Sequence, residues 1–245
     1  MNKLSYDIVI PVLNEEKRLR RGVETIASFL ARNEFNNCRI VIADNGSSDG
    51  TAKVAAELCI EYPNAEYVSV GQRGVGLALK AAWGRSIADV VGYMDVDLAT
   101  DIEHFMEVVA IFEKGGADVV NGSRNLPSSR VSNRKMIREI TSRGFNILLR
   151  HILNTHITDG MCGFKFIRRD VYQNIAEYGI RNSGWFFSTE FLCMAERLGF
   201  AIVEIPVRWL DDQDSRARIV RLSAYYLREI VRLRFRKLRK ISNET

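Results

Sequence analysis

The sequence has few of the residues that mark several common protein classes. Its 245 residues include four prolines and 17 glycines, too few for a collagen-like chain or a linker. The four cysteines contain no CxxC pair, which favours free thiols in a reducing compartment over a disulfide framework or a zinc site. The longest apolar runs are under ten residues, whereas a membrane-spanning helix needs about twenty. We expect no membrane-spanning segment, and the early strand pattern argues against a secretory signal.

Positive charge is concentrated at one end of the chain. The formal net charge is +5, but residues 216–245 alone contribute +8, which leaves −3 for residues 1–215. With 47% hydrophobic and 27% charged residues, the chain has a globular rather than a disordered composition. We expect one globular domain over 1–215 and a basic extension over 216–245, where an acidic partner would bind.

Apolar runs rich in Val and Ile alternate with helical patterns. This alternation predicts an α/β fold in which helices flank a mainly parallel sheet. The predicted strands are 6–12, 38–44, 66–71, 89–97 and 117–123, and the predicted helices between them are 15–32, 49–61, 76–86 and 101–114. Beyond residue 125 the pattern loosens into a helix over 134–153, a strand over 163–167, a helix over 188–198, a strand over 201–209 and a basic terminal helix.

Polar residues follow the predicted strands, and ligands of open parallel sheets bind beyond these strand ends. The segments 11–16 and 44–51 follow the first two strands. The second segment also has the residues of an Asx turn with a helix cap. After the third strand, 71–76 has the order GxxGxG, but no glycine loop follows the first strand, which argues against a dinucleotide fingerprint. It fits a plain turn into a helix or a turn whose amides and Arg73 approach an anion.

Two aspartates close the most apolar predicted strand. If that strand continues, alternation points the carboxylates of Asp95 and Asp97 to the same side, where two buried like charges would raise each other's pKa. A hard cation such as Mg²⁺ or Mn²⁺, shared with a substrate diphosphate, would relieve that repulsion. The alternative is a solvated strand end with Asp97 or Asp101 capping the next helix.

Seven short motifs follow one another along the chain. They are IVIPVLNEE, DNGSSDGT, RGVGLA, MDVDLATD, Gly122-Ser123-Arg124, DGMCGFK and WFFSTEF. Together they resemble the family 2 glycosyltransferases of the GT-A fold. Over about residues 5–240 the chain is similar to the polyprenyl (dolichyl) phosphate hexose synthases of that family. Its tail is most similar to the dolichyl-phosphate glucosyltransferase branch.

The resemblance implies transfer of a hexose from a nucleoside-diphosphate sugar, with UDP favoured by the tail, to a polyprenyl or dolichyl phosphate. The implied roles are nucleoside contact for Pro11, Leu13, Glu15 and Asp44, nucleotide contact for Arg73 and Gly74, and metal binding for Asp95 and Asp97. Four cations would bind the acceptor phosphate or the leaving diphosphate of the donor: Arg124, Arg134, Lys165 and Arg216. Mannose synthases often carry a Gln as a further metal ligand two residues after the second Asp, where this chain has Ala99. The remaining Mg²⁺ or Mn²⁺ ligands are then left to water or substrate.

The charge of the acceptor decides whether the reaction needs a base. A lipid phosphate has a second pKa of about 6, so it needs only cations that place it for in-line attack with inversion. The implied catalytic set is Asp97, Arg124, Asp159 and Glu190. Sugar-hydroxyl transferases of this fold usually have a catalytic carboxylate at the place of Glu190, which for a phosphate acceptor would bind sugar hydroxyls or orient cations. Two plain structural alternatives stay open: an exposed helix carboxylate for Glu190, and a turn residue before Gly160 for Asp159.

Two other functions remain open at this point. The first is transfer to a sugar hydroxyl in glycan or antibiotic assembly, with Glu190 as the base. The second is a non-catalytic module that binds a nucleotide sugar or a membrane.

The terminal helix is predicted to be basic and amphipathic. Its apolar residues are Leu222, Tyr225, Tyr226, Ile230, Leu233 and Leu238, and its cations are Arg221, Arg228, Arg232, Arg236, Arg239 and Lys240. Such a helix suits an anionic membrane surface. We expect a peripheral protein on the cytoplasmic membrane face that does not bind nucleic acid. The competing interpretation is a charged helix that packs on the domain.

Overall fold

The computed structural model describes residues 4–133, 136–210 and 219–240. Strands and helices alternate through its first half, as the sequence predicts. The first elements are β1 (Tyr6–Val12), α1 (Leu19–Arg32), β2 (Cys38–Asp44), α2 (Thr51–Glu61), β3 (Ala65–Ser69), α3 (Val75–Arg85), β4 (Val90–Met94), α4 (His104–Glu113) and β5 (Val119–Ser123). The later elements are β6 (Arg130–Ser132), α5 (Met136–Leu153), β7 (Phe164–Arg168), α6 (Arg169–Glu177), α7 (Phe187–Arg197), β8 (Ile202–Pro206), β9 (Arg208–Leu210) and α8 (Ile219–Phe235).

The central sheet is mainly parallel. Within the described residues its strand order is β3-β2-β1-β4-β7-β5-β8. Strand β7 runs antiparallel to both of its neighbours, and the other pairs are parallel. The carboxyl ends of β1, β2, β3 and β4 therefore lie along one edge, where their loops meet.

Helices cover both faces of the sheet. Alternate side chains of β1 face opposite layers: Ile8 and Ile10 belong to the core beneath α1 and α4, and Val9 belongs to the core beneath α3 and α7. All three side chains are fully buried, and each contributes about 1.5–3 kcal/mol through removal of apolar surface from water. Burial on both faces also fixes the strand, so the loop that follows it leaves from a rigid edge.

The second half of the chain departs from the predicted elements in three places, the first of which is the unpredicted strand β6. Helix α6 was not predicted, because its nine residues carry only a short apolar face. The single strand predicted over 201–209 is two strands, since the chain leaves β5 after β8 and pairs as β9 with β6 in a separate two-stranded sheet. The break comes at Val207, whose side chain is buried in the core.

The terminal helix α8 packs against the rest of the fold. Tyr226, Ile230 and Leu233 of its predicted apolar stripe are buried in the core on the α3 side of the sheet, so that stripe faces protein. Leu227, Val231 and Phe235 are exposed instead. The predicted domain boundary at 215/216, Arg216 and the side chains of Arg221 and Leu222 lie outside the described residues. Across the described ranges, no helix combines the length and apolarity needed to cross a bilayer.

Candidate active site

The loops after β1 and β2 are joined side by side. Asn14, in the left-handed region at φ 57°, accepts a hydrogen bond at Oδ1 from the Ser48 amide at 2.8 Å and donates its own amide to Ser47 Oγ at 2.9 Å. The Glu15 amide donates to Thr51 Oγ1 at 2.9 Å. Pro11 is buried within β1, and Leu13 is partly exposed at its end. Three of the predicted nucleoside contacts, Pro11, Leu13 and Glu15, thus lie in or beside this double loop.

Asp44 ends β2 and organises the turn that follows it. Its Oδ1 accepts hydrogen bonds from the amides of Gly46 and Ser47, at 3.0 and 2.8 Å. Its Oδ2 accepts the Tyr67 hydroxyl at 2.8 Å. The Asx turn that the sequence allowed is therefore present, and any contact of Asp44 with a base is made by a carboxylate already held in place.

The loop before α3 lies against these two loops. The Gly74 amide donates to Asn45 Oδ1 at 3.4 Å, and Gly74 has φ 155°, a conformation that favours glycine. A Cβ on Gly74 would lie 2.6 Å from the Ser183 carbonyl oxygen, so a segment far along the chain covers this loop. Arg73 is exposed beside it. The sequence predicted this proximity of Arg73 and Gly74 to the strand edge, but not the covering segment.

The two aspartates of MDVD lie in a turn, not in a strand. Strand β4 ends at Met94, and the Leu98 amide donates to the Asp95 carbonyl at 3.0 Å while Leu98 takes φ 52°. Strand alternation therefore does not orient the carboxylates, as the sequence argument assumed; the turn does. Asp97 is exposed and its Oδ1 accepts the Ala99 amide at 3.0 Å, whereas Asp95 is partly buried.

Two glycines let the backbone approach this turn closely. A Cβ on Gly22 of α1 would lie 2.5 Å from the Val96 carbonyl oxygen. Gly163, just before β7, lies against the Asp95 carboxylate so closely that a Cβ there would overlap it. The Asp95 amide also donates to the Gly163 carbonyl at 3.2 Å. Two distant segments therefore contact the turn, and one of them, at Gly163, holds Asp95 itself.

The electrostatics of this turn suit a divalent cation. Burial, and then the charge of Asp97, raise the pKa of Asp95 to about 7, while Arg124 and Lys165 act in the opposite direction. Mg²⁺ is typically bound through one or two carboxylates together with substrate phosphates. No group of three or more His, Cys, Asp or Glu side chains in the described ranges is arranged for a metal. A cation held by this pair would take its other ligands from a bound diphosphate and water.

Arg124 and Asp159 form a buried ion pair next to the turn. Arg124 Nε and Nη2 donate to the two Asp159 oxygens at 2.7 and 2.9 Å, and the Arg124 amide also donates to Oδ2 at 3.1 Å. Burial alone would raise the pKa of Asp159, but the Arg124 charge and hydrogen bonds lower it to about 2. The Arg124 guanidinium also lies 5.2 Å from the ring centroid of Trp209. Asp159 thus holds Arg124 in one orientation.

Lys165 is enclosed within the sheet. Its side chain is fully buried on β7, its ammonium donates to the Cys162 carbonyl, and burial lowers its pKa. Its charge acts on both Asp95 and Asp159. The other two predicted phosphate ligands, Arg134 and Arg216, lie outside the described residues.

Glu190 is buried near the start of α7, and its carboxylate is occupied by protein donors. Oε1 accepts the Arg181 amide at 3.0 Å and Oε2 accepts the Asn182 amide at 2.7 Å. Arg236, one residue beyond α8, donates to Oε1 at 2.6 Å. These contacts differ from the exposed helix carboxylate that the sequence left open.

A cavity of about 890 Å³ opens beside Arg124. It is lined by the segment 124–133 and by one side of α5, including Arg143, Ile147 and Arg150. Two arginines and an isoleucine at i, i+4 and i+7 lie on one helical face, so the cavity wall is both cationic and apolar. Arg143 also pairs with Glu139 at 2.6 Å.

Sequence reasoning missed several residues that the structure brings to this region. The spacing of Arg143, Ile147 and Arg150 on a predicted helix was a usable signal. Gly163 lay within a quoted motif but had no assigned role. Arg236 and the Asn182 amide contact Glu190 only because the fold brings distant residues together, and no local sequence pattern indicates such contacts.

A model of one protein family matches most of the chain. The family is described as glycosyl transferase family 2, and the match covers residues 7–176.

Curated relatives give matches over a larger share of the chain. Glycosyltransferase AglD of Haloferax volcanii is 35% identical over 223 residues, which are 89% of this chain and 35% of that protein. The chain thus spans about a third of that relative. The dolichyl-phosphate beta-glucosyltransferase of Dictyostelium discoideum is 29% identical over 97% of this chain and 76% of that protein. The enzyme of the same name from Saccharomyces cerevisiae is 28% identical over 95% and 75%.

Solved structures share the fold at lower identity. Glucosyl-3-phosphoglycerate synthase from Mycobacterium tuberculosis in complex with UDP has a TM-score of 0.70 and 19% identity, over 94% of this chain and 80% of that one. Its complex with Mn²⁺, UDP-glucose and phosphoglyceric acid has a TM-score of 0.66 and 19% identity, over 93% and 80%. At these identities the likeness shows the fold alone.

Proposed function

The chain belongs to glycosyl transferase family 2, and from that membership we propose that it moves a hexose from a UDP-sugar to a polyprenyl or dolichyl phosphate at a membrane surface. The family, the GT-A fold and the glycosyltransferase class predicted from the motifs are confirmed. The site residues, the lipid acceptor and the membrane face are proposals. One observation carries them: Arg124 lines the cavity and its charge also acts on Asp95, so an acceptor phosphate there would lie next to the donor.

The donor side consists of the three joined loops. Leu13, Glu15 and Asp44 would contact the nucleoside, and Arg73 with the Gly74 amide would lie near the diphosphate. An exposed guanidinium and an amide at the start of α3 are groups that bind anions. This part of the proposal is supported by relatives named dolichyl-phosphate beta-glucosyltransferase and by a structural neighbour that binds UDP-glucose.

Asp95 and Asp97 would hold the Mg²⁺ or Mn²⁺ ion. When bound, the ion supplies positive charge that stabilises the departing diphosphate. The protein itself would keep the two carboxylates fixed in position, through the turn at Leu98 and the close approach of Gly163. The neighbour crystallised with Mn²⁺ and UDP-glucose supports a divalent cation.

Replacing Gly163 with Ala should impair this metal site. The new Cβ would overlap the Asp95 carboxylate, so Asp95 or the backbone before β7 must shift. We expect Mn²⁺ affinity, measured by calorimetry with UDP present, to fall about tenfold, the size of effect reported for the supporting groups of metal ligands. The matched control is Gly144→Ala in exposed α5, where a Cβ meets nothing within 4 Å. Equal Mn²⁺ affinities for both variants would contradict the assignment.

The acceptor side is the cavity beside Arg124. Asp159 holds the Arg124 guanidinium, so Asp159 acts on the acceptor through Arg124 and needs no proton transfer of its own. Arg143 and Arg150 would add charge at the cavity wall, and exposed Met136 and Ile147 would contact a prenyl chain. Since a phosphate acceptor is already largely ionised at neutral pH, these cations meet the chemical requirement without a base.

The single substitutions Arg143→Ala and Arg150→Ala should each weaken acceptor binding. We expect each to raise the KM for polyprenyl phosphate about tenfold, in keeping with charge-assisted contacts of about 1.5 kcal/mol. The KM for the donor should stay within twofold. Arg21→Ala, an exposed arginine on α1, serves as the control for lost surface charge. A donor KM that rises as much as the acceptor KM would argue against the cavity as the acceptor site.

Membrane contact is proposed for the exposed faces of two helices. Leu227, Val231 and Phe235 of α8 recur every four residues on its outer side, and α5 exposes Met136 and Ile137 as well. Helices α5 and α8 pack against each other. With the cations of α8 nearby, this surface has the composition of a peripheral contact with anionic lipid, which keeps the cavity close to an acceptor that stays in the bilayer.

One assay tests the proposed function. Purified protein is incubated with labelled UDP-glucose, other UDP-sugars or GDP-sugars, and polyprenyl phosphate in anionic vesicles, with Mn²⁺ or with EDTA. We expect a lipid-linked hexose from a UDP-sugar, formed only with the metal. Transfer to free sugars but not to the lipid phosphate would instead support a sugar-hydroxyl acceptor.

A further inference from the structure

Glu190 connects three separate parts of the chain. Its two carboxylate oxygens accept the consecutive amides of Arg181 and Asn182, and its third partner is the guanidinium of Arg236. The side chains of Glu190 and Arg236 are only 6% and 10% exposed. A carboxylate that is enclosed and occupied in this way is poorly placed to take a proton from an incoming hydroxyl group, because a base must reach that proton.

The segment bound by Glu190 lies directly on the loop before α3, which contains Gly74. The Ser183 carbonyl accepts the Leu77 amide at 3.3 Å. Any side chain at Gly74 or Gly76 would run into this segment, since a Cβ on Gly76 would lie 2.9 Å from the Ser183 carbonyl carbon. Segment 180–184 and the start of α3 are therefore in backbone contact, and a shift of the segment would shift the Gly74 amide.

Helix α8 and the residue that follows it hold this segment and the two residues before it. Arg236 donates to the Gly179 carbonyl at 2.5 Å and to the Tyr178 carbonyl, in addition to Glu190. Asn182 Nδ2 donates to the Tyr225 hydroxyl at 2.6 Å. Asn182 Nδ2 also lies 3.3 Å from Glu229 Oε2 of α8. The helix thus binds Asn182 through two residues, and Arg236, about three turns after Tyr225, binds Glu190 and the carbonyls just before the segment.

We propose that Glu190 is a positioning residue for donor binding: together with Arg236 it clamps segment 180–184 against the loop at Gly74, and so couples helix α8 to the nucleotide site. The proposal rests on the proposed function for the identity of the donor. It assigns Glu190 no proton transfer, in contrast to the sugar-hydroxyl alternative, and it gives the terminal helix a role in the site.

The test compares variants at the two ends of the clamp. Glu190→Gln and Arg236→Ala are each expected to raise the Kd for UDP about tenfold, to lower kcat less than threefold, and to leave the pH profile of kcat unchanged. The double variant should bind UDP no more weakly than the more impaired of the two single variants, because both substitutions break the same clamp. Arg236→Lys should restore part of the affinity. Arg234→Ala, an exposed arginine on the same helix, is the control and should bind UDP as the unmodified protein does.

A second measurement does not depend on the donor, and it includes a milder variant that leaves Glu190 and Arg236 in place. Hydrogen exchange of the Arg181 and Asn182 amides should speed up in Glu190→Gln and in Tyr225→Phe, which removes only the hydroxyl that Asn182 contacts. The proposal is overturned if these amides keep their protection. It is also overturned if Glu190→Gln lowers kcat a hundredfold with unchanged UDP affinity while Arg236→Ala behaves normally, since that is the signature of a base. Absence of lipid transfer with the exchange result intact would remove the proposed acceptor and leave the clamp.

Discussion

Asp97→Asn is expected to lower kcat about a thousandfold with UDP-sugar and polyprenyl phosphate, which corresponds to about 4 kcal/mol of transition-state stabilisation. Asn keeps an oxygen that can accept the Ala99 amide, and the side chain is exposed, so the turn and the fold should be retained. What the variant loses is one of the two charges that, in the proposed site, would hold the cation against the diphosphate.

The measurement for Asp97 is single-turnover transfer at saturating Mn²⁺, with UDP affinity measured in parallel with and without EDTA. In the unmodified protein EDTA should weaken UDP binding, and in Asp97→Asn it should have little effect. Asp101→Asn is the matched control, because Asp101 lies four residues further on and pairs with Arg208 at the surface. If Asp97→Asn transfers hexose at the rate of this control, the proposed metal site is wrong.

The sequence predicted the first half of the fold well because local and tertiary signals agree there. Strands β1 and β2 begin and end at the predicted residues, since both of their faces are buried and polar turn residues follow at once. The predicted end of β4 at residue 97 was wrong. Val96 is apolar and extends the run, but the chain turns at Leu98 and packs the Val96 carbonyl on Gly22, a contact that no local pattern reveals.

The chemistry of the site was partly accessible for the same reason. Strand-end position indicated Asp44, Gly74 and Asp95, and the family resemblance added Arg124. The partners of these residues were not accessible, because they come from distant segments: Tyr67 for Asp44, Gly163 for Asp95 and Asp159 for Arg124. Knowledge of those partners distinguishes a side chain that faces a ligand from a side chain that positions its neighbour.

Asp159→Asn tests directly whether Asp159 positions Arg124, and among the substitutions proposed here it should cause the largest loss of stability. The substitution keeps the shape of the side chain but leaves the buried Arg124 charge without a counter-charge. Breaking one side of a buried ion pair costs about 3–5 kcal/mol, so we expect a loss of that size in the free energy of unfolding, measured by urea denaturation. Glu57→Gln breaks an exposed pair with Arg20 and should cost at most about 1 kcal/mol. Similar losses for the two variants would mean that Arg124 is not held by Asp159.

The same ion pair predicts a pH dependence with a definite sign. The pKa of Asp159 is lowered from 3.8 to about 2 in the folded protein, so the unfolded chain takes up this proton first as the pH falls. Its contribution to stability is complete above about pH 4 and disappears as the pH falls toward 2. Between those values the unmodified protein should lose stability faster than Asp159→Asn, and the gap between their unfolding free energies should narrow. A gap that stays constant across this range would show that Arg124 and Asp159 are not coupled through charge.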